Sequence, residues 1–236
     1  MRLDQALVFK NIYPTRTKAV AAIKAGLVSV NGYPALKPSQ IVSEVDEIFG
    51  NKLPYLSGRG SLKLEKTLDF FNVNPNGYVC LDVGASTGGF TEVLLNHGAK
   101  KVFAVDVGTD QLIPELRNDE RVVSLEQTDI RNLKPIERVD LIVIDVSFIS
   151  LTNIVDCLPQ WGAKQIIALI KPQFEVAREV AAKVGGVIKS EFDRQNAINK
   201  VVAAFEKSGF YCRGVIESPI LGGSGNVEYL MYAVRA

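Results

Sequence analysis

Four charged residues, widely separated in the sequence, have side chains that could move a proton: Lys63, Asp145, Lys171 and Glu228. Asp145 and Lys171 each follow a run of branched apolar residues, so both should emerge at the carboxyl end of a buried strand. Taken alone, each residue also has an ordinary structural role, such as a helix cap, a solvated strand end or a charge on an edge strand. Chemistry is expected only if the fold brings the four together.

A loop of small residues, DVGASTGGFT at positions 82–91, is the second chemical feature. It follows an apolar strand pattern and precedes an apolar helix pattern, and its glycines let the backbone turn tightly and approach a ligand. Doubly wound folds bind nucleotides at such a helix N-terminus, and Asp106, at the end of the next strand, could accept hydrogen bonds from a ribose. Ser86 stands where the dinucleotide pattern G-x-G-x-x-G has its second glycine. We therefore predict a nucleoside-cofactor site here rather than a purely structural turn.

Strand and helix patterns alternate after residue 78, which is typical of a parallel sheet with helices on both faces. The predicted strands cover 78–83, 102–106, 122–125, 140–146 and 165–171, and the predicted helices lie near 89–97, 111–117, 150–157 and 192–208. Two final strands, 211–216 and 227–234, are joined by a loop without room for a helix and should pair antiparallel at one edge. The prediction is an α/β, Rossmann-like sheet of order 3-2-1-4-5-7-6 with an antiparallel last strand. That arrangement is expected of an S-adenosylmethionine (SAM) methyltransferase.

The first 52 residues carry a separate, basic pattern, with no Asp or Glu between Gln5 and Ser43. Two short helix patterns precede a strand at 28–30, an Asn31-Gly32 turn and a further strand within 41–48. The helices and the junction AIKAGLVSVNG resemble the small RNA-binding domain of ribosomal protein S4, which implies docking on structured RNA through phosphates and shape. The cations assigned to that contact are Lys10, Arg16, Lys18 and Lys24. A solvated basic surface is the alternative.

The chain has 236 residues, of which 47% are apolar, enough for one ordinary domain and one small domain. We divide it into a small α+β RNA-binding domain at 1–52, a linker at 53–60 and a larger domain at 61–236, which a helix over 61–71 opens. No signal peptide opens the sequence, and no uncharged apolar run approaches the roughly 18 residues of a membrane helix. We therefore expect a cytoplasmic protein that does not span a membrane.

Cysteine and histidine usage indicates neither a metal cluster nor a Ser-His-Asp site. Cys80, Cys157 and Cys212 are widely spaced, without a C-x-x-C pair, and are typical of reduced core residues. His97 is the only histidine, and its place beside Gly98 at the end of a predicted helix favours capping of helix carbonyls.

Several motifs together closely resemble the haemolysin-A (TlyA) family of FtsJ-like ribosomal RNA 2′-O-methyltransferases. They are DVGASTGGFT, IDVSF, IKPQFE and GNVEYL, after RGSLKL and the basic N-terminal module. The resemblance covers essentially the whole chain and implies a catalytic K-D-K-E tetrad at Lys63, Asp145, Lys171 and Glu228. It also implies that SAM is held by Asp82, Gly84, Ser86, Gly88, Gly89, Phe90, Asp106, Val107, Asp129 and Ile130. The family's run before the first lysine carries an extra glycine here, at 55–60, so Lys66 is the alternative to Lys63.

The implied reaction explains these residue types, because a ribose hydroxyl is a poor nucleophile until it loses its proton. A lysine amine serves as base only when its pKa falls towards neutrality. Burial and a second cation lower a lysine's pKa whereas carboxylates raise it, and the sequence leaves open which influence is stronger. Our hypothesis makes Lys171 the base or the hydroxyl activator, oriented by Asp145 and Glu228. Lys63 would steady a phosphate or the developing oxyanion.

The resemblance further implies cytidine in ribosomal RNA, or in ribosomal subunits, as substrate. Two alternatives stay open: a non-catalytic RNA-binding or ribosome-assembly factor, and a haemolysin. A nicotinamide enzyme is a more distant third. The cations around Gly185-Gly186 could form a mobile basic lid over RNA or a solvated loop; they are Arg178, Lys183, Lys189 and Arg194.

Overall fold

The structure is a computed structural model that describes residues 1–235 except 14, 25, 51–56 and 59, and it leaves the side chains of 21, 178 and 183 undescribed. Most of the segment predicted as a linker, 53–60, therefore lies outside the described residues, as does the proline between the first two helices. The chain divides into two compact units, Met1–Gly60 and Ser61–Ala236.

The first unit packs two short helices against a small antiparallel sheet of order β2-β1-β3. Its elements are α1 (Leu3–Phe9), α2 (Arg16–Lys24), β1 (Val28–Val30), β2 (Tyr33–Pro34) and β3 (Ile48–Gly50). Leu3, Leu7 and Ile23 form its core with Val28. Asn31 and Gly32 both have positive φ, 53° and 80°, as the tight turn requires.

The strand predicted within 41–48 is realised only from Ile48 onwards. The carboxylate of Asp46 accepts hydrogen bonds from the backbone N and the hydroxyl of Ser43 and from the amide of Asn31. These bonds hold residues 43–46 in a turn, which the alternating apolar pattern did not reveal.

The second unit is a seven-stranded sheet of order β6-β5-β4-β7-β8-β10-β9. Its strands are β4 (Val79–Val83), β5 (Lys101–Val105), β6 (Val122–Leu125), β7 (Leu141–Ile144), β8 (Gln165–Ile170), β9 (Phe210–Glu217) and β10 (Tyr229–Arg235). The pairs among β4 to β8 are parallel, and β10 runs antiparallel to both neighbours. In order of appearance this is 3-2-1-4-5-7-6, so the predicted topology is confirmed.

The helices of the second unit are α3 (Ser61–Phe71), α4 (Gly89–Asn96), α5 (Pro114–Arg117), α6 (Pro172–Glu175), α7 (Arg178–Lys183) and α8 (Glu191–Lys207). The central strand β7 is buried along its whole length, which is why its residues are all branched and apolar. Trp161, Phe103 and Phe205 fill the core on one face of the sheet.

The helix predicted near 150–157 is wrong. The chain instead makes three short 3₁₀ turns at Leu151–Asn153, Val155–Cys157 and Pro159–Trp161. The buried carboxylate of Glu175 accepts hydrogen bonds from the backbone N–H of Leu151 and from the hydroxyl of Ser150, and these bonds fix the first turn.

Two smaller predictions also need correction. The helix predicted over 111–117 starts only at Pro114, because Glu126 accepts the backbone N–H groups of Asp110, Gln111 and Leu112 and holds them in a loop. His97 does not cap carbonyls with its side chain: its Nε2 lies 3.0 Å from a carboxylate oxygen of Glu65.

Candidate active site

A cavity of about 1050 Å³ opens at the carboxyl ends of the parallel strands. Its walls include the segments that follow β4, β5, β6 and β7, which is where open α/β sheets place their ligand sites, together with residues after β8 and on α8. Seven of the residues predicted from the sequence line it: Gly84, Ser86, Asp106, Val107, Asp129, Ile130 and Asp145.

Gly84 brings the backbone after β4 against the backbone after β7. Its φ is +84°, and a Cβ atom on it would lie 2.5 Å from the carbonyl oxygen of Asp145. A side chain at this position would therefore push the two strand ends apart. Glycine therefore satisfies two requirements at this position, a left-handed backbone conformation and the close approach of the two backbone segments.

Asp106 organises the rim of the cavity. Its Oδ2 accepts a hydrogen bond from the backbone N of Ser86 at 2.7 Å, and its Oδ1 accepts one from the backbone N of Gly108 at 2.7 Å. Each carboxylate oxygen can accept a second hydrogen bond. The residue can therefore hold the loop and still bind a ribose hydroxyl. The adjoining Val107 is 73% exposed at the same rim.

Asp129 and Ile130 form the wall that follows β6. Asp129 accepts hydrogen bonds from the backbone N of Arg131 and from its guanidinium Nε, both at 2.9 Å. The Arg131 guanidinium lowers the pKa of the Asp129 carboxyl below its ordinary value. Ile130 is buried and supplies an apolar surface beside it.

Four residues predicted to contact a cofactor do not reach the cavity: Asp82, Gly88, Gly89 and Phe90. Asp82 is fully buried and accepts a hydrogen bond from the hydroxyl of Thr91 at 2.7 Å, so it anchors the start of α4. Gly88 has a φ of +98°, and a Cβ atom there would lie 2.2 Å from the Cδ1 of Leu116, so backbone conformation and packing both favour glycine. Phe90 is a core residue, 3% exposed.

The first lysine–carboxylate pair lies between the ends of β7 and β8. Lys171 Nζ is 2.6 Å from Asp145 Oδ1 and donates a hydrogen bond to the Ser147 hydroxyl at 2.8 Å. Lys171 is 8% exposed, whereas Asp145 and Ser147 line the cavity. The amine is therefore held just behind the cavity wall.

The second pair joins the first turn of α3 to the residue before β10. Lys63 Nζ donates to Glu228 Oε2 at 2.7 Å, with side-chain exposures of 10% and 3%. Lys66, the alternative to Lys63, instead donates to the backbone carbonyl of Glu217 at 3.1 Å. The structure thus pairs Lys63, not Lys66, with the glutamate.

Strand register brings the two pairs to one edge of the sheet. β10 pairs Tyr229 with Ile170 of β8, so Glu228 and Lys171 occupy the next position on adjacent antiparallel strands. On the other side β7 runs parallel to β8, which carries Asp145 to the same edge. The four charged residues, far apart in sequence, therefore converge beside the cavity.

Sequence reasoning did not assign Phe148 and Phe174, although both lie in motifs it singled out. Both line the cavity, with ring centroids 5.2 Å apart, and Phe148 is 90% exposed with a φ of 66°. An exposed aromatic side chain held in a strained backbone was the signal, and it is visible only in three dimensions.

The predicted RNA-binding cations of the first unit have different surroundings. Arg16 Nε donates at 2.8 Å to Asp4, a buried carboxylate that also binds Arg2 and whose pKa these arginines lower to about 2. Lys10 donates to the backbone carbonyl of Asp46 at 3.4 Å. Lys24 is exposed and Lys18 is half-buried.

Within the part of the chain that the structure describes, no group of three or more His, Cys, Asp or Glu side chains could hold a metal ion. The three cysteines are free, and burial raises the pKa of the Cys80 thiol. In the same described residues no helix is long and apolar enough to cross a membrane.

The strand order, the nucleoside-sized cleft and the paired charges beside it define a methyltransferase domain of the SAM-dependent type. Residues 56–235 match the FtsJ-like methyltransferase family and residues 1–48 match the S4 domain. The chain belongs to the FtsJ-like methyltransferase family, in the haemolysin-A (TlyA) group that carries an N-terminal S4 domain.

Relatives of this group align along nearly the full chain. The 16S/23S rRNA (cytidine-2′-O)-methyltransferase TlyA of Mycobacterium tuberculosis is 41% identical over 98% of this chain and 88% of its own length. Hemolysin A of Brachyspira hyodysenteriae is 39% identical over 99% of this chain and 100% of its own. A solved structure described as a hemolysin from Streptococcus thermophilus superposes with a TM-score of 0.77 at 39% identity, covering 100% of this chain and 88% of that one.

Proposed function

We propose that this protein transfers the methyl group of SAM to a ribose 2′-hydroxyl of ribosomal RNA, with cytidine as the target nucleoside. The observation that carries the proposal is the convergence of two lysine–carboxylate pairs beside a nucleoside-sized cleft. The relative named as a 16S/23S rRNA (cytidine-2′-O)-methyltransferase supports the substrate, since its alignment with this chain, at 41% identity, covers 98% of the chain. A ribosomal RNA substrate would place the reaction in the cytoplasm.

We assign SAM to the cleft above Gly84, with Asp106 as the acceptor for its ribose hydroxyls and Asp129 with Ile130 at its adenine. The residues fit this cofactor: the glycine has no side chain to fill the floor of the cleft, Asp106 has free acceptor capacity, and the cavity is large enough for a nucleoside ligand. Bound there, SAM supplies a methyl group activated by the positive charge on its sulfur.

The protein's own contribution is to activate and align the hydroxyl. Lys171 serves as the base or the hydroxyl activator, and Asp145 fixes the position of its amine. Lys63, held by Glu228, stabilises the developing oxyanion or a neighbouring phosphate. A well-placed proton acceptor contributes about 10²–10⁴-fold to rate, and alignment of two bound reactants adds to it.

The N-terminal S4 domain would supply the contact with structured RNA. Lys10, Arg16, Lys18 and Lys24 lie on its two helices or directly after them, on a stretch that lacks acidic residues. Phosphate contacts by such cations give affinity and orientation rather than base specificity.

Replacement of Lys171 tests the proposal. Lys171→Ala should reduce transfer of tritiated methyl from SAM to ribosomal subunits by at least 10²-fold, because the activating amine is removed. SAM affinity should stay within a few-fold of wild type, since Lys171 lies behind the cavity wall. Lys164→Ala is the matched control, because Lys164 is an exposed lysine directly before the other end of the same strand.

Unchanged turnover in Lys171→Ala would exclude the assignment. Wild-type protein that binds ribosomal RNA but transfers no methyl group would favour a non-catalytic assembly factor. Lysis of erythrocytes by the pure wild-type protein would favour the haemolysin alternative.

A further inference from the structure

The catalytic pair Lys63–Glu228 depends on a turn that has little stiffness of its own. Residues 222–226 precede Glu228 and include three glycines, Gly222, Gly223 and Gly225. The turn is closed by hydrogen bonds from Gly222 N to the carbonyl of Asn226 and from Gly225 N to the carbonyl of Gly222, both 2.9 Å. Glycine backbone samples many conformations, so these two bonds alone leave the approach to β10 loosely held.

Asn226 supplies the missing restraint through its side chain. Its Nδ2 donates to the carbonyl of Gly186 at 2.8 Å, and its Oδ1 accepts from the backbone N of Ile188 at 2.9 Å. The residue is 1% exposed, and its hydrogen bond with Ile188 is fully buried while that with Gly186 is partly buried. Both ends of the amide are therefore used to tie the turn to backbone some 40 residues earlier in the chain.

The same glycine-rich turn contacts the carboxylate of Glu228. A Cβ atom on Gly222 would lie 2.3 Å from Glu228 Oε1, so the backbone of Gly222 packs directly against that oxygen. The carbonyl of Glu228 accepts a hydrogen bond from Ser218 N at 2.9 Å. With the backbone fixed there, a shift of the turn acts on the side chain of Glu228 and on its 2.7 Å contact with Lys63.

We propose that Asn226 is a positioning residue for Glu228, bracing the glycine-rich turn against segment 186–188 so that the carboxylate holds Lys63 in place. The inference rests on the proposed function and adds to it a residue outside the four that carry charge. Segment 186–188 thereby supports the Lys63–Glu228 pair, since it provides the backbone groups to which Asn226 is hydrogen-bonded.

Asn226→Ala should lower kcat for methyl transfer at least 10-fold while SAM affinity stays within two-fold. The two hydrogen bonds that it removes do not touch the cleft, but they set the geometry of the Lys63–Glu228 pair. In hydrogen exchange, the Ile188 amide should become less protected, since Asn226 is its acceptor. Tyr232→Phe is the matched control: it removes a hydrogen bond of 2.9 Å, to Gln165, from β10, the strand that follows the turn, and should leave kcat unchanged.

A double variant separates positioning from general destabilisation. If Asn226 acts through Glu228, adding Asn226→Ala to Glu228→Gln should cost no further activity, whereas independent effects would multiply. Multiplied losses, or wild-type kcat in Asn226→Ala, would overturn the inference. Should Asn226→Ala fail to fold, Asn226→Asp keeps the acceptor for Ile188 and removes the donor to Gly186, and the same comparison applies.

Failure of the proposed function would look different. Wild-type protein without methyl transfer would refute that function, and hydrogen exchange would still test the brace. Unchanged Ile188 protection in Asn226→Ala would then overturn the brace by itself.

Discussion

At the scale of single residues, Asp82 shows how burial changes the ionisation of a carboxyl group. Its Oδ2 accepts from Thr91, while its Oδ1 has no hydrogen-bond partner among the described residues. Burial raises the pKa of this carboxyl to about 7, with the nearby Asp145 and Asp106 adding to the effect and Thr91 opposing it. The carboxyl therefore ionises less readily than an ordinary aspartate, and the hydrogen bond that it accepts from Thr91 anchors the start of α4.

A pH series tests this assignment. Because the folded protein binds the Asp82 proton more tightly than the unfolded chain, whose carboxyl keeps the ordinary pKa of 3.8, this group makes stability fall as pH rises from about 4 to about 7. Asp82→Asn keeps the acceptor for Thr91 and cannot ionise. Urea unfolding should show the variant to be more stable than wild type at pH 8, with the difference shrinking towards pH 4. A difference that is the same at both pH values would contradict the buried titration.

At the scale of elements, the site is made where parallel strands end together. β4 and β7 are neighbours, and the backbone of Gly84 meets that of Asp145 directly after them. Lys171, directly after β8, and Glu228, directly before β10, lie at the same edge. The glycine at the end of β4 therefore controls both the floor of the cleft and the place of Asp145.

Two glycine replacements separate this close approach from backbone strain. Gly84→Ala should weaken SAM binding at least 10-fold, because its Cβ would collide with the Asp145 carbonyl. Gly209→Ala is the matched control, since Gly209 has a similar φ of +86° but nothing within 4 Å of its Cβ. Both variants should lose about 1–2 kcal/mol of stability because of the left-handed backbone, Gly84→Ala should lose more because of the collision, and only Gly84→Ala should bind SAM more weakly. Calorimetric titration with SAM makes the comparison, and equal affinities would refute it.

At the scale of the whole molecule, the distribution of charge along the chain matters more than the net charge. The chain carries a net charge of only +1, yet residues 6–42 contain no acidic side chain. Attraction to RNA therefore depends on where the cations lie, not on how many there are in total. Asp4, buried among α1 and α2, fixes the guanidinium of Arg16 within this stretch.

Salt dependence of RNA binding measures that distribution. A triple variant of Lys10, Lys18 and Lys24 to Ala should reduce the slope of log affinity against log salt by about 0.7–0.9 for each phosphate that is no longer neutralised, about 2.1–2.7 in all. SAM affinity should not change. A control triple variant at Lys100, Lys134 and Lys207, which are exposed lysines of the second unit, should keep the wild-type slope. Equal slopes for the two triple variants would show that the first unit is not the main RNA-binding surface.

The sequence by itself determined where the strands of the larger sheet and the loop after β4 lie along the chain, whereas the strand order was expected from the class of methyltransferases. Buried strands are runs of apolar residues, and glycines punctuate them, so both signals are local and survive without knowledge of the fold. For the same reason the helix Ser61–Phe71 and the two final antiparallel strands could be predicted. The types of the four charged residues were visible as well, and so were the places of Asp145, Lys171 and Glu228 at strand ends and of Lys63 on a helix.

Only the tertiary structure decided which groups meet. Glu175 accepts the backbone N–H of Leu151, 24 residues earlier, where the chain forms 3₁₀ turns instead of the predicted helix. Asn226 is hydrogen-bonded to a loop 38 to 40 residues earlier. Lys63 rather than Lys66 reaches Glu228 across 165 residues. Hydrogen bonds and ion pairs act over a few ångströms in space, whatever the separation along the chain, so periodicity carries no record of them until the strands are in register.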